Sequence, residues 1–319
     1  MHEGRPRALI IGTETALNAS ASGASIRFKN VSNLVHELGF EAKMETKRNA
    51  KRLIKSRKWD LIVLVSFSNL KLLRISHKNS KLVWLDCTDS ILLTRKSLMF
   101  AGDLRQPIAL LLDCLRIIYN KRPGVITYIT ELDRDFDSFL RFSDTNSYVF
   151  PLNPEKVQMG DDLNSSRLVF VGDGRYLPNR KAIEFLEKVL PFLDESQKID
   201  IYGSGYRENM HPRFKFHGYK DDRDVYQIHD IHLAPISYGA GMKAKVAIPL
   251  LNGLRVISTT IGANGFNTSG NLLIADTPKD FALAIESLQS NLNLSKPTHH
   301  QLFSRDQTEE LLVFIRSYL

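Results

Sequence analysis

The chain has 319 residues, of which 43% are hydrophobic and 24% charged, and a net charge of +8. That length exceeds one ordinary hydrophobic core and predicts two α/β domains of about 150 residues each, and the composition excludes a disordered chain. No apolar run approaches the roughly 20 residues that cross a bilayer; a run such as Ile108 to Leu112 is far too short. The opening MHEGRPRALIIG carries a brief apolar run that reads as a first strand, Ala8 to Gly12, and not as a signal peptide, so a cytosolic location is expected. Ile26, Val31, Leu34, Val35 and Leu38 then recur at helical spacing, and Gly39 supplies the stop. Buried strands follow at Leu61 to Val65, Leu82 to Leu85, Val125 to Tyr128 and Tyr148 to Phe150, the alternation of a doubly wound parallel sheet.

Between Thr145 and Ser166 the apolar periodicity gives way to Asn, Pro, Gly, Asp and Ser, which marks an interdomain linker over residues 151–166. A second βα series starts with Leu168 to Val171 and a helix from Asn179 whose Ile183, Leu186 and Leu190 share one face. Its later strands are Ile199 to Tyr202, Phe214 to Phe216, Ile231 to Ala234, Val256 to Ser258 and Leu272 to Ile274. Asp306 to Tyr318 reads as an amphipathic helix with Leu311, Leu312 and Ile315 on one side, able to cover either domain. The expected division is residues 1–150, the linker, residues 167–304, and a terminal helix over 305–319.

Basic residues concentrate between Lys43 and Lys58 and between Lys71 and Lys81, either as solvated helix faces or as a patch for an anionic membrane surface. Cys87 and Cys114 lack metal-ligand spacing and read as buried thiols. The nine histidines form no H-x-x-x-H pair, and no G-x-S-x-G elbow or P-loop occurs, which removes zinc hydrolase, serine hydrolase and P-loop chemistry. Asp133, Asp135 and Asp137 fall at a helix start, where capping is favoured over a metal site. Gly12 is followed by Thr13 and Glu14, so the first strand lacks the G-x-G-x-x-G turn of nicotinamide dinucleotide binding.

The stretch DIHLAPISYGAGMKAKVAIPLLNG, from Asp230 to Gly253, carries the most chemistry. A strand ending at Ala234 leads through a glycine-bearing loop into a helix expected to start near Gly241. Glycines admit a ligand close to the backbone, and the amides of a helix's first turn form an anion site that Lys243 and Lys245 reinforce. Such donors stabilise the negative charge that gathers on a departing nucleoside diphosphate without a metal ion.

The stretch resembles the C-terminal domain of GT-B glycosyltransferases of the group 1, family 4-like kind. The shared pattern is G-x-G-x-K-x-K, then G-x-x-V-[IV]-[ST]-T and G-x-x-G, at Gly239, Gly241, Lys243, Lys245, Gly253, Val256, Ile257, Ser258, Thr259, Gly262 and Gly265. LVFVGDGRYLPN at Leu168 to Asn179, and IYGSGY followed by FKFHGYKDD, resemble two further pieces of the same domain, in the same order. The resemblance implies two Rossmann-like domains with a cleft between them, and transfer of a sugar from a UDP- or GDP-sugar to an acceptor hydroxyl with no cofactor. The setting it implies is bacterial surface polysaccharide or lipid-linked glycan assembly, in the cytoplasm or on the inner face of the membrane, with nucleic acid not a partner.

The resemblance assigns the donor to Gly172, Gly203, His217, Gly218, Tyr219, Ser237, Gly239, Ala240 and Gly241, and catalysis to Lys243 and Lys245. Where many members place a ribose-binding glutamate, this chain has Ile248, which accepts no hydrogen bond. On the acceptor side it points to Gly23 and Arg27 in SGASIR; Arg27 equally fits a surface position on an amphipathic helix. Asp86, Asp89 and Glu131 follow strands, with Asp89 a general base or a helix cap. A sugar-nucleotide epimerase of the same architecture and a non-catalytic glycan or polyanion binder are the competing readings.

Overall fold

The computed structural model describes residues 5–18, 22–100, 102–138, 146–160, 166–207, 211–268, 271–290, 303 and 306–318. The chain forms two compact units, one of residues 1–153 with 305–319 and the other of residues 154–304.

The first unit is built on a six-stranded parallel sheet in the order β2-β1-β3-β4-β5-β6. Its strands are β1 (Arg7–Gly12), β2 (Glu41–Thr46), β3 (Trp59–Val65), β4 (Ser80–Thr88), β5 (Val125–Tyr128) and β6 (Asn146–Val149). β1, β3, β4 and β5 are almost wholly buried, as apolar strands covered on both faces must be. Alternate residues go to opposite faces. Ala8, Ile10, Leu61, Val63 and Trp84 pack under α2 (Gly23–Glu37), while Leu9, Ile11, Ile62, Leu64 and Leu85 pack on the other face against α3 (Lys47–Ser56) and α4 (Leu73–Asn79). Also on that second face are α5 (Ile91–Phe100) and α6 (Gln106–Ile118); α1 (Glu14–Asn18) and α7 (Glu131–Asp137) complete the unit's first 153 residues. The C-terminal helix α12, which follows the last helix of the second unit and spans Thr308–Arg316, returns to this unit. Its Leu311, Leu312 and Ile315 fill the α2 face, and Gln307 exchanges hydrogen bonds with the backbone of Val149.

One strand is absent from the sequence-based expectation: β2, EAKMET, is an edge strand with no buried residue, so it carries no apolar alternation to read. The surface position that the sequence left open for Arg27 is corrected here, with Asp86 beside it. Neither is exposed at all: the Arg27 guanidinium lies against both carboxylate oxygens of Asp86, its Nη2 2.5 Å from Oδ1, and donates to the carbonyls of Phe150 and Pro151. It also stacks 4.3 Å from the Phe150 ring centroid, and Thr127 Oγ1 donates to Asp86 Oδ1 at 2.7 Å. The pair ties α2 to the end of β4 and to the chain leaving β6. It serves the fold, and Arg27 also borders the cavity at the carboxyl ends of β1 and β3.

The second unit is also a six-stranded parallel sheet, ordered β12-β11-β10-β7-β8-β9. It comprises β7 (Leu168–Val171), α8 (Leu177–Val189), β8 (Ile199–Tyr202), β9 (Phe214–Gly218), α9 (Asp222–Val225), β10 (Ile231–Ala234), α10 (Ala244–Leu251), β11 (Arg255–Ser258), β12 (Leu272–Ile274) and α11 (Pro278–Ser290). The expected linker is less open than its composition suggests. Leu152 is buried, and Val157 and Met159 pack on Val169, Tyr226 and Leu254 of the second unit. The two thiols are free, Cys87 buried and Cys114 partly so.

Candidate functional site

In an open parallel sheet, ligands bind beyond the carboxyl ends of the strands where the strand order reverses. In the second unit that point lies between β7 and β10. The loops leaving these two strands are GDG at Gly172 to Gly174 and PISYGAG at Pro235 to Gly241. Gly239 and Gly241 adopt φ of 122° and 72°, a region closed to most side chains, so the loop needs glycine at both positions. Thr259 Oγ1 donates to the Ile236 carbonyl at 2.5 Å and Ser258 Oγ to that of Ala234 at 3.1 Å, fixing the loop from the β11 side. Ser237 is exposed and Ala240 buried.

α10 starts at Ala244, three residues later than expected, with Lys243 in extended conformation at its N-cap. Lys243 Nζ folds back to the carbonyls of Ala240 and Gly241. Lys245 stands in the first turn; its stem is partly exposed while its ammonium is enclosed, 2.5 Å from Asn179 Oδ1 and 4.4 Å from the Phe170 ring centroid. Burial, with the Lys243 charge adding to it, brings the Lys245 ammonium down to about 7. Asn179 also donates to the Asp173 carbonyl at 2.9 Å, so one side chain links the β7 loop to the start of α10. The arrangement places an N-cap lysine and a first-turn lysine at the start of α10, where a helix terminus favours negative charge.

Gly203, at the end of β8, has φ of 128°, and a Cβ there would lie 1.9 Å from the Gly172 carbonyl oxygen. The loops after β7 and β8 touch only because that side chain is missing. His217 and Gly218 end β9, and Tyr219 beyond them is largely exposed. His217 Nε2 lies 2.6 Å from Asp200 Oδ1 and its ring stacks on Tyr202, in a separate hollow of about 270 Å³ with Arg167 and Lys220. Ile248 packs with Val171 on Val169, Tyr202 and Leu254, so the position where many members carry glutamate extends the hydrophobic core. Tyr238, passed over in the sequence, is buried in the glycine loop, and its hydroxyl has no hydrogen-bond partner among the described residues. An aromatic residue in a glycine loop signals nothing by itself; the unsatisfied hydroxyl does.

In the first unit the strand order reverses between β1 and β3, and a cavity of about 420 Å³ opens there, lined by Thr13, Ser66, Thr88, Asp89, Arg95 and Arg116 among others. Ser66 and Thr88 are the non-glycine residues with positive φ, 81° and 66°, among the described residues. Both line this cavity, Thr88 just after a register shift in the β4–β5 pairing. A β-branched residue in this conformation costs about 1–3 kcal/mol and persists only where the surroundings impose it, which is characteristic of functional sites. Asp89 lines the cavity, and the helix cap falls instead to Ser90, whose Oγ accepts from Leu93 N at 2.9 Å. The other lining carboxylate, Asp113, is held by Arg95 and Arg116. Lys71 and Arg116 lie close enough to Lys47 for their charges to lower its ammonium further after burial has done so. Gly23 opens α2 on the surface, and Glu131 pairs with Arg134 in the first turn of α7. Neither lines the cavity.

Beneath Asp89 lies a buried carboxylate pair. Asp133, in the first turn of α7, receives the amide of Ser90 at 2.9 Å, and Ser90 Oγ donates to Asp137 Oδ1 at 2.5 Å. No group of metal ligands occurs among the described residues. Burial, opposed by the Ser90 hydrogen bond and reinforced by Asp133, pushes Asp137 up to about 7 from an ordinary 3.8. Between those values the folded chain binds more protons than the unfolded one, so this contribution is fully present below pH 3.8 and is lost as pH rises to about 7. Asp137→Asn is therefore expected to gain on the native chain across that window, by at most about 4 kcal/mol. Urea unfolding from pH 4 to pH 7.5 measures it, and parallel pH profiles for the two chains would refute it.

Residues 165–291 match the family described as glycosyl transferases group 1. The match falls within the second unit. The match takes in both loops of the switch point and α10. No curated protein matches the chain in sequence. A sucrose-phosphate synthase from Thermosynechococcus elongatus has the same fold with a TM-score of 0.63, over 98% of this chain and 95% of its own, at 10% identity. S. aureus TarM, solved with Fondaparinux, alpha-GlcNAc-glycerol and UDP, gives 0.53 at 12% identity over 85% of this chain, which spans about half (54%) of TarM. A Methanocaldococcus jannaschii UDP-GlcNAc 2-epimerase, solved with UDP-GlcNAc and UDP, gives 0.51 at 10% identity over 98% of this chain and all of its own. At such identities the likeness is one of fold, and the fold is GT-B: the group 1 domain follows a first Rossmann-like unit.

Proposed function

We propose that the protein transfers a sugar from a nucleoside diphosphate-sugar to an acceptor hydroxyl. The observation that carries this is the loop Gly239 to Gly241 running into Lys243 and Lys245 at the switch point of a group 1 domain. Those lysines and the first turn of α10 hold the diphosphate and stabilise it as it leaves, a role that needs no metal ion. The first unit takes the acceptor in the cavity between β1 and β3. There Asp89 is the candidate base if the configuration inverts, while Arg95 and Arg116 suit an acceptor that carries negative charge. Such acceptors occur in bacterial surface polysaccharide and lipid-linked glycan assembly, and we assign the protein to that setting, at the cytoplasmic face of the membrane.

The donor is a UDP- or GDP-sugar, and a thermal-shift panel of nucleoside diphosphates and their sugar conjugates, run with EDTA and with magnesium, names the base. A ligand at a hundred times its dissociation constant stabilises the native state by about 2.7 kcal/mol, well within detection. One base series is expected to raise the melting temperature equally with and without the metal. No response to any nucleoside diphosphate would end the assignment. Incubation with a labelled sugar nucleotide and no acceptor separates transfer from epimerisation, since only an epimerase returns an altered donor.

A further inference from the structure

Helix α6 is apolar on both faces, with Leu110, Cys114 and Ile117 packed on the core of the first unit. On that inward face the helix also carries Gln106 and Asp113, both buried and both bonded to Arg95 of α5. Its outward face presents Ile108, Leu111, Leu112, Leu115 and Ile118, which the 3.6-residue period places in one stripe. Ile108 is 68% exposed and Leu111 60%, and the turn from α5 continues the patch through Phe100 at 82% and Leu104 at 91%. Monomeric proteins rarely leave so continuous an apolar face in water. The charges around the patch are cationic: Arg105 and Arg116 on the hairpin, with Arg74, whose Nη2 donates to the Tyr119 carbonyl, and exposed Lys121 and Arg122 at the end of α6. The acids of the hairpin are already engaged, Asp103 with Arg105 and Asp113 with Arg95 and Arg116.

We propose that the α5–α6 hairpin is a docking surface for an anionic lipid bilayer, the apolar stripe entering the headgroup boundary and the cationic rim meeting lipid phosphates. An amphipathic helix that lies in a membrane interface has this distribution. A second copy of the chain fits less well, because a two-fold contact through the stripe would bring like-charged rims together. Thr94 and Arg95 of α5 and Arg116 of α6 also line the acceptor cavity, so docking sets that cavity beside the lipid headgroups. That last step rests on the proposed function; the docking itself does not.

The test is co-sedimentation of the full chain with phosphatidylglycerol–phosphatidylcholine vesicles and with phosphatidylcholine vesicles alone. The native chain is expected to bind the anionic vesicles, less so at high salt, and I108E/L111E/L115E to bind at least about tenfold more weakly. R105E/K121E/R122E is expected to lose the preference for anionic lipid, and the fluorescence of L111W to shift to the blue on vesicles. Circular dichroism confirms folding, and K243A/K245A should sediment like the native chain, so a failed donor site and a failed docking surface give different results. Overturning results are absence of binding to anionic vesicles, native-like binding by I108E/L111E/L115E, or a native dimer in light scattering that this variant dissociates.

Discussion

Lys243→Ala is expected to abolish sugar transfer, and Lys245→Met to reduce it by at least about a hundredfold, the usual loss when a fixed donor to a developing oxyanion is removed. Lys243 caps α10 through its backbone and reaches the loop carbonyls through its ammonium, so truncation removes a charge from the site and leaves the helix. Lys245 adds a sharper signature. With its ammonium near 7 in the empty site, it is about half charged at neutral pH, and a bound diphosphate restores the full charge. Binding of the sugar nucleotide must then take up protons. A diphosphate diester has no ionisation of its own in this range, so affinity should strengthen as pH falls from about 9 toward 7 and level off below. Calorimetry in two buffers of different ionisation enthalpy reads the uptake directly, and Lys245→Met should remove both the uptake and the slope. Full turnover by both variants would dismiss the site.

Arg27→Leu is expected to destabilise the first unit by about 3–5 kcal/mol, because it strands the fully buried Asp86 carboxylate with only hydroxyl partners. Domains are stable by about 5–15 kcal/mol, so this is a large part of what holds the unit together. Arg27→Lys should recover little, since an ammonium cannot address both carboxylate oxygens and the Phe150 and Pro151 carbonyls from one plane. Replacing both partners, as R27M/D86L, should cost less than Arg27→Leu alone. Denaturant unfolding followed through Trp84, which lies in the same unit and hydrogen-bonds Thr127, gives the ranking. A loss below about 1 kcal/mol for Arg27→Leu would show the pair to be incidental.

The two sheets were legible in the sequence because their inner strands are continuous apolar runs. Ala8 to Gly12, Leu61 to Val65 and Ile231 to Ala234 admit few other readings. β2 was not legible, since an edge strand with no buried residue carries no periodicity. The glycine loop was legible as chemistry because two glycines, two lysines and a following helix must occur together for the backbone to receive an anion. Arg27 was located, but its burial was not legible. A charged residue on a helix looks the same in sequence whether it faces water or a carboxylate 59 residues away, and only the fold distinguishes them. The exposed stripe on α6 was hidden for the opposite reason. Apolar residues recur all round α6, and periodicity does not say which of them face the core; Leu110, Cys114 and Ile117 do, while Ile108, Leu111 and Leu115 face water.

The return of residues 305–319 to the first unit sets an order on synthesis. Leu311, Leu312 and Ile315 complete the α2 face of the first sheet, yet they leave the ribosome only after all of residues 154–304. Throughout that interval the side chains they cover stand open to water, and the half-finished unit presents a sticky surface to its surroundings. The group 1 domain, contiguous in the chain, faces no such delay. A nascent chain therefore has reason to complete its second unit before its first, the reverse of the usual vectorial order.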